Sequence, residues 1–431
     1  MRYQSEFQKW VYRSIFCLVA IMLIEELLLG YRMFQNGWIP YDSMLLSDWL
    51  INYEGGFVRR GLMGELLLGL YNIIPHSIVY TIIGIYVISL MTLLYIICYV
   101  FRQNGWSLFI AVFPICIFVS FLGVRRDYLM LVICYFLFMQ FSKFLQTNDK
   151  SHIVWANVIS IIAILLHEVF FFFTIPILML FTLANQPKIS NRTYINTVLL
   201  WLPALLSMLA VCLFKGDNNV AQSIWNSWMP CFENYPMTGH MPPMGSAVEW
   251  LTYDTSYALP FHIHKFWLSK FIYSLPSWPF NIYVIACTFI LVTRLNTINV
   301  QFWPLHSVDS SKLGSVLLLQ LLFLFPMFGL LSCDFGRIIM YWTLSSLFAY
   351  HWLHEYFTIP QSIQRISTKL QTAIDKTRIA KYRWLYLTVL ITLPVARFEG
   401  ANILSSFAFV PYGWRLTFWS HILHTLPIAL E

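Results

Sequence analysis

Apolar runs long enough to cross a bilayer recur from one end of this chain to the other, separated by short charged segments. A transmembrane helix needs roughly 17 to 25 mostly apolar residues. A chain assembled from such runs has few folds open to it. Lipid offers the backbone no hydrogen-bond partner, so spanning segments close their own bonds as helices. Composition agrees, with 58% of the 431 residues hydrophobic, 11% charged and a mean hydropathy of +0.65. Soluble domains carry about 25% charged residues. The expected fold class is all-α, a polytopic transmembrane helical bundle of about 11 spans, within a range of 10–12, and two large outer loops. It forms a single integral membrane domain over residues 1–431.

Charge sets the expected topology. Arg2, Lys9 and Arg13 outweigh Glu6 ahead of the first apolar run, which marks a cytoplasmic N-terminus. No small-residue cleavage site follows that run, so it reads as a retained first helix rather than a signal peptide. Spans are expected at 14–32, 77–101, 106–124, 128–145, 152–167, 169–185, 195–214, 271–293, 312–331, 338–354 and 384–398. The tail 399–431 adds at most one more. Segments 33–60 and 215–268 become outer loops, and 61–74 a short interfacial helix. The loop 355–383 carries Arg365, Lys369, Lys376, Arg378, Lys381 and Arg383, as a cytoplasmic loop should. The net charge of +7 is spread between spans and is a topology signal, not a nucleic-acid patch.

The eight cysteines are scattered singly, most of them inside apolar runs, with no ligand spacing for zinc and no disulfide framework. Cys231 and Cys333 are the one pair near outer loops. No metal centre and no cofactor is expected, although a divalent cation stays open. His262 and His264 alone do not make a metal site.

Against this apolar background the stretch Ser47–Glu65, SDWLINYEGGFVRRGLMGE, concentrates acids, a Gly-Gly pair and an Arg-Arg pair. On the expected topology it shares the outer side with Arg125-Arg126-Asp127, His167-Glu168, the loop 215–268 and Asp334-Phe335-Gly336-Arg337. Ionisable groups at membrane depth cost about 2.5–3.5 kcal/mol each on insertion scales and default to a functional reading with a named partner. These clusters are therefore expected to line one polar cavity. Asp48 and Glu54 are candidate general bases, since a carboxylate near the bilayer can take a proton from a hydroxyl. Either could instead pair with Arg59 or Arg60. The forked donors of Arg59, Arg60, Arg125, Arg126 and Arg337 suit phosphate, unless Arg126 pairs with Asp127 and Arg337 with Asp334. His167 and Glu168 offer a second acid–base pair, or an ordinary interhelical bond. Glu25 and Glu26 fall inside the first span and call for a partner there. Aromatic residues of 215–268, among them Trp225, Trp228, Trp250, Tyr253 and Tyr257, suit either sugar rings or the headgroup layer.

In layout the chain resembles the O-antigen polymerases and the wider class of membrane glycosyltransferases that use polyprenyl-linked sugars. GGFVRRG and DFGR look like motifs of proteins from bacterial surface-polysaccharide loci. The resemblance implies glycosyl transfer on the periplasmic side of the inner membrane, from one polyprenyl-pyrophosphate-linked glycan to a hydroxyl of another. Asp48 or Glu54 would assist the acceptor, and the arginines would hold the departing pyrophosphate. The expected partners are that lipid-linked oligosaccharide, the bilayer, and a chain-length regulator or other assembly proteins. The outer loop 215–268 is short for a polymerase, which leaves a single-sugar transferase open. A lipid-linked oligosaccharide flippase is the rival, although its charges would sit at the midplane and its sequence would often repeat. A membrane O-acyltransferase built on His167 is another.

Overall fold

The computed structural model describes residues 44–75, 77–104, 126–186, 189–232, 246–264, 278–295, 309–332, 335–356 and 360–376, with 242, 267, 270–271 and 275–276 between them. The spans expected at 14–32, 106–124 and 384–398 lie outside these, as do Glu25, Glu26, Arg125, Cys333 and Asp334. Cys231 is a free thiol.

The described chain is helical. After α1 (Met44–Ser47) and a 3-10 turn over Asp48–Leu50 come α2 (Gly61–Ile73), α3 (Ile78–Asn104) and α4 (Asp127–Thr147). Next are α5 (Lys150–Leu166), α6 (Val169–Ala184), α7 (Asn191–Leu200) and α8 (Leu202–Leu213). α9 (Asn218–Trp228) and α10 (Thr255–Ile263) lie in the segment expected as the second outer loop. α11 (Trp278–Leu295), α12 (Ser310–Leu324), α13 (Phe335–Leu353) and α14 (Gln361–Lys376) complete the set. A two-residue antiparallel ladder pairs Lys270–Phe271 with Leu275–Pro276. It occupies the stretch where a span was expected to begin at 271, and α11 starts later, at Trp278.

Among the described residues two helices are long and apolar enough to cross a membrane, at Ile78–Phe101 and Asp127–Thr147, and Asn191–Leu200 with Leu202–Leu213 makes a third if that bent pair is one span. α2, α5 and α6 are shorter apolar helices, as is the segment Ser311–Met327. α4 is the central post, packed against α3, α5 and α13, while α12 joins α13, α6 and α14.

Local chemistry explains the turns. Asn148, in the left-handed region at φ 54, stops α4, and the Asp149 side chain accepts from Ser151 N to start α5. The result is a two-residue hairpin between long helices. α5 ends where His167 turns extended, and α6 starts two residues later, at Val169. The span expected at 195–214 is broken by 65° at Trp201, two residues before Pro203. Pro203 has no N–H to give the Leu199 carbonyl and its ring crowds that turn, so one helix cannot run through and a new one starts just ahead of the proline. Trp201 is fully buried and donates its indole N–H to Thr182 Oγ1 at 3.1 Å, which fixes the elbow on α6. Within the bundle the Gln320 side-chain amide donates to Phe173 O at 2.9 Å and to Ser345 Oγ at 3.2 Å, tying α12 to α6 and α13.

Antiparallel order puts the first residues of α4 and α13 at the same end of the bundle as the α5–α6 turn. The first outer loop folds onto that end, and glycine makes the fit possible. A Cβ on Gly64 would stand 2.1 Å from Ile51 O, and one on Gly55 2.7 Å from Val220 Cα of α9. Gly64→Ala should therefore destabilise the protein by about 1–3 kcal/mol through overpacking. Gly69→Ala, where a Cβ meets nothing within 4 Å, should leave stability unchanged or slightly raised. Melting curves of the two variants in detergent check both outcomes.

Candidate functional site

The site begins with a turn. Gly56, at φ 107, closes it by donating its N–H to Tyr53 O at 2.9 Å, and the chain then climbs into α2 through Arg60. Arg60 is left-handed, at φ 65 and ψ 7, which for a side chain of this size costs on the order of 1–3 kcal/mol. Its surroundings hold it there. The guanidinium donates to Glu168 from Nε at 2.8 Å and through a second bond from Nη2, and Nη1 reaches Asp48 Oδ1 at 3.3 Å. The Arg60 carbonyl accepts from Arg126 Nη1 at 3.1 Å.

Arg126 is fully buried at the start of α4 and grips the same Asp48, with Nε to Oδ2 at 3.0 Å and Nη2 to Oδ1 at 2.7 Å. Its neighbour Asp127, equally buried, turns away to accept from Arg337 Nε and from the Tyr341 hydroxyl. Arg337 and Tyr341 are four residues apart and share one face of α13. Arg337 also donates from Nη2 to His167 Nε2 at 2.9 Å. With Nε2 accepting, the imidazole proton sits on Nδ1, 3.5 Å from Glu168 Oε2. The 3.3 Å approach of Val169 N–H to that nitrogen is then a contact rather than a bond. His167 is thus held by Arg337 on one side, with the Glu168 carboxylate beside it on the other.

The expected clusters therefore meet. Asp48, Arg60, Arg126, Asp127, His167, Glu168 and Arg337 form one connected network, while Arg125 and Asp334 lie outside the described residues. The local pairing expected between Arg126 and Asp127 is replaced by long-range partners for both. Glu54 stands apart, exposed at the tip of the turn, with no ion pair among the described residues. Three participants gave less warning in the sequence. Tyr341 could have been found from its helical spacing to Arg337. Glu65, which accepts from Tyr53 N at 3.0 Å, and the backbone carbonyl of Arg60 carried no such signal.

The second outer loop covers the first. Trp228 Nε1 donates to Leu50 O at 2.7 Å, Asn52 Nδ2 to Ser227 Oγ at 2.8 Å, and Ala247 N to Ser47 Oγ at 2.8 Å. Arg59 is tied at two points, with its N–H on Phe214 O, just ahead of that loop, at 3.1 Å and Nη2 on Trp250 O, within it, at 3.2 Å. Among the described residues Arg59 is the one arginine of this group without a carboxylate partner, and its Nε is buried with no acceptor. No group of three or more His, Cys, Asp or Glu side chains is placed to hold a metal ion among the described residues.

The family model described as uncharacterised membrane protein Rv1490 matches residues 16–275, more than half of the chain. The chain belongs to this family. No curated protein and no solved structure matches it. The Rv1490 match covers the turn, Arg59, Arg60, the start of α4 and the α5–α6 turn, and stops short of Arg337 and Tyr341.

Burial works against ionising Asp48, but Arg126 and Arg60 outweigh it and hold the carboxyl well below the usual carboxylate range. Burial opposes Glu168 likewise, and Arg60 draws it down from 4.5 to about 2. Both carboxyls hold protons more weakly in the folded chain than in an unfolded one. Their stabilisation is accordingly full above about pH 4.5 and is lost as pH falls towards 2. The melting temperature in detergent should be flat from about pH 7 to 5 and fall steeply below 4.5. Asp48→Asn, which leaves Arg126 buried without its anion, should cost about 3–5 kcal/mol at neutral pH and shallow the acid transition.

Proposed function

We propose that this chain is a membrane glycosyltransferase that joins polyprenyl-pyrophosphate-linked glycan units, as in O-antigen, lipopolysaccharide or capsule assembly. In this reading it is a bundle of about 11 spans in a bacterial inner membrane. Its N-terminus is cytoplasmic and its site faces the periplasm. A chain-length regulator or another assembly protein would be its neighbour. The observation that carries the reading is the convergence of acids and arginines from the first outer loop, α4, the α5–α6 turn and α13 at one end of the bundle, under an aromatic loop.

Geometry divides the labour between the two candidate bases. Asp48 is held by two guanidiniums and has little affinity for a proton, so it positions Arg60 and Arg126. Glu54 is exposed and has no ion pair among the described residues, which makes it the carboxylate free to act. An acceptor hydroxyl would form a bond to the anomeric carbon of the donor sugar and lose its proton to the Glu54 carboxylate. The bond from that carbon to the pyrophosphate oxygen would break, with the electron pair leaving on the pyrophosphate. A cation held at the outer end of the bundle would stabilise that leaving charge more in the transition state than in the ground state.

The test is the surface glycan profile of cells lacking the protein, complemented with wild type, Glu54→Gln or Glu54→Asp. Glu54→Gln should insert and melt like wild type yet lower transfer by about 10²–10⁴-fold, the usual contribution of a general base. Loss of long chains with a single unit retained marks a polymerase. A ladder of normal length lacking one substituent marks a single-sugar or acyl transferase. Lipid-linked units trapped on the cytoplasmic leaflet would mark a flippase and overturn the reading, as would full rescue by Glu54→Gln.

A further inference from the structure

Arg59 is the residue that the ion-pair network leaves over. Asp48 and Glu168 are saturated by Arg60 and Arg126, and Asp127 by Arg337. Arg59 lies within electrostatic reach of Glu168 and Asp48, yet among the described residues its guanidinium bonds only to a backbone carbonyl and its buried Nε meets no acceptor. A fixed cation held without an anion is costly in a half-buried site, and an incoming anion would relieve it.

What surrounds Arg59 narrows the kind of anion. The carbonyl it touches belongs to Trp250, whose ring packs on Tyr253 with centroids 5.2 Å apart. Tyr253 stacks on Tyr257 at 4.7 Å, and Tyr257 on Phe261 at 6.2 Å. Residues 253, 257 and 261 repeat every four positions, so they form a single stripe along α10 and the turn before it. Tyr257 is 51% exposed, so the ladder keeps an open face. A second cation, Lys215, follows the Phe214 carbonyl that accepts from Arg59 N and pairs with an exposed carboxylate, Asp254. Cation and flat apolar rings at one junction match a ligand that is part phosphate and part sugar ring.

We infer that this junction is a subsite for a glycosyl phosphate. The phosphate engages the Arg59 guanidinium, and the sugar ring lies on the Trp250–Tyr257 ladder. The inference deepens the proposed function by naming where the donor's phosphate is held, and it rests on that reading for the donor's biological role.

The test uses the full chain in neutral-lipid nanodiscs, titrated calorimetrically with glucose 1-phosphate, inorganic phosphate and glucose. Glucose 1-phosphate should bind about tenfold or more tighter than either fragment. Arg59→Gln should remove its binding, and Arg59→Lys should restore part of it. Tyr257→Ala, on the exposed rung, should abolish the advantage over inorganic phosphate while leaving phosphate binding unchanged. Equal binding by wild type and a normally melting Arg59→Gln would overturn the subsite. So would a ladder variant that binds glucose 1-phosphate as wild type does, which would leave the aromatics as headgroup anchors. Arg59-dependent binding in a protein whose deletion leaves the glycan profile intact would uphold the subsite and overturn the glycosyltransferase reading. A glycan defect in Glu54→Gln with no Arg59 dependence would do the reverse.

Discussion

The bond between Arg60 and Glu168 is the interaction on which the outer end of this protein depends. It joins a loop to the turn between two helices, and it does so from a residue whose backbone is itself unfavourable. An arginine in the left-handed region persists only if its surroundings over-determine it. Here the side chain is claimed by Glu168 and Asp48 and the carbonyl by Arg126. Each of those partners is occupied in turn, so the network is one object rather than a set of pairs. Breaking any link leaves a charge at low exposure with nothing to answer it. On the topology expected from charge these arginines lie on the side that the positive-inside bias disfavours, and the network gives each a local role there.

Backbone contact then makes the arrangement rigid. Gly55 lies against α9, Gly61 under the ring of Tyr53, and Gly64 against the Ile51 carbonyl, all closer than a side chain would allow. The first outer loop is therefore clamped between α2 and the second outer loop rather than draped over the bundle. Arg59 emerges from that clamp with its position fixed at two points, the carbonyls of Phe214 and Trp250. A cation whose geometry is set before a ligand arrives loses little entropy on binding.

Much of this was legible in the sequence, for reasons that differ by element. The helix expected at 61–74 is α2, and the tight pair expected at 152–167 and 169–185 is α5 and α6, because apolar run length and a charged interruption fix both. Convergence of the charged clusters followed from counting helices, since alternate ends of antiparallel helices share a side. Pairing did not follow. Arg126 and Asp127 are adjacent, but neighbours in sequence do not face each other on a helix. Each found its partner far away, 78 residues off in the case of Asp48. The outer loop 215–268 concealed α9, although Asp217 caps it and Ile224, Trp225 and Trp228 make its buried stripe. The elbow at Trp201 was also written in the chain, by Pro203, beneath an apolar run that reads as one straight span.

That elbow sets the thickness of membrane this flank can match. α7 and α8 have 10 and 12 residues, so at 1.5 Å per residue each half is only about 15–18 Å long. Bent by 65°, they cannot offer lipid the straight wall of about 30 Å that a hydrocarbon core presents. The amide of Asn157 donates to the Leu200 carbonyl at the break, at 3.0 Å, and so satisfies one of the carbonyls that the bend frees. Ile195, Leu199, Leu206, Leu209 and Leu213 nevertheless stay exposed along both halves and need acyl chains against them. If the bent pair is one span, the bilayer must thin beside this flank, which gives the protein a shallow notch in its lipid collar.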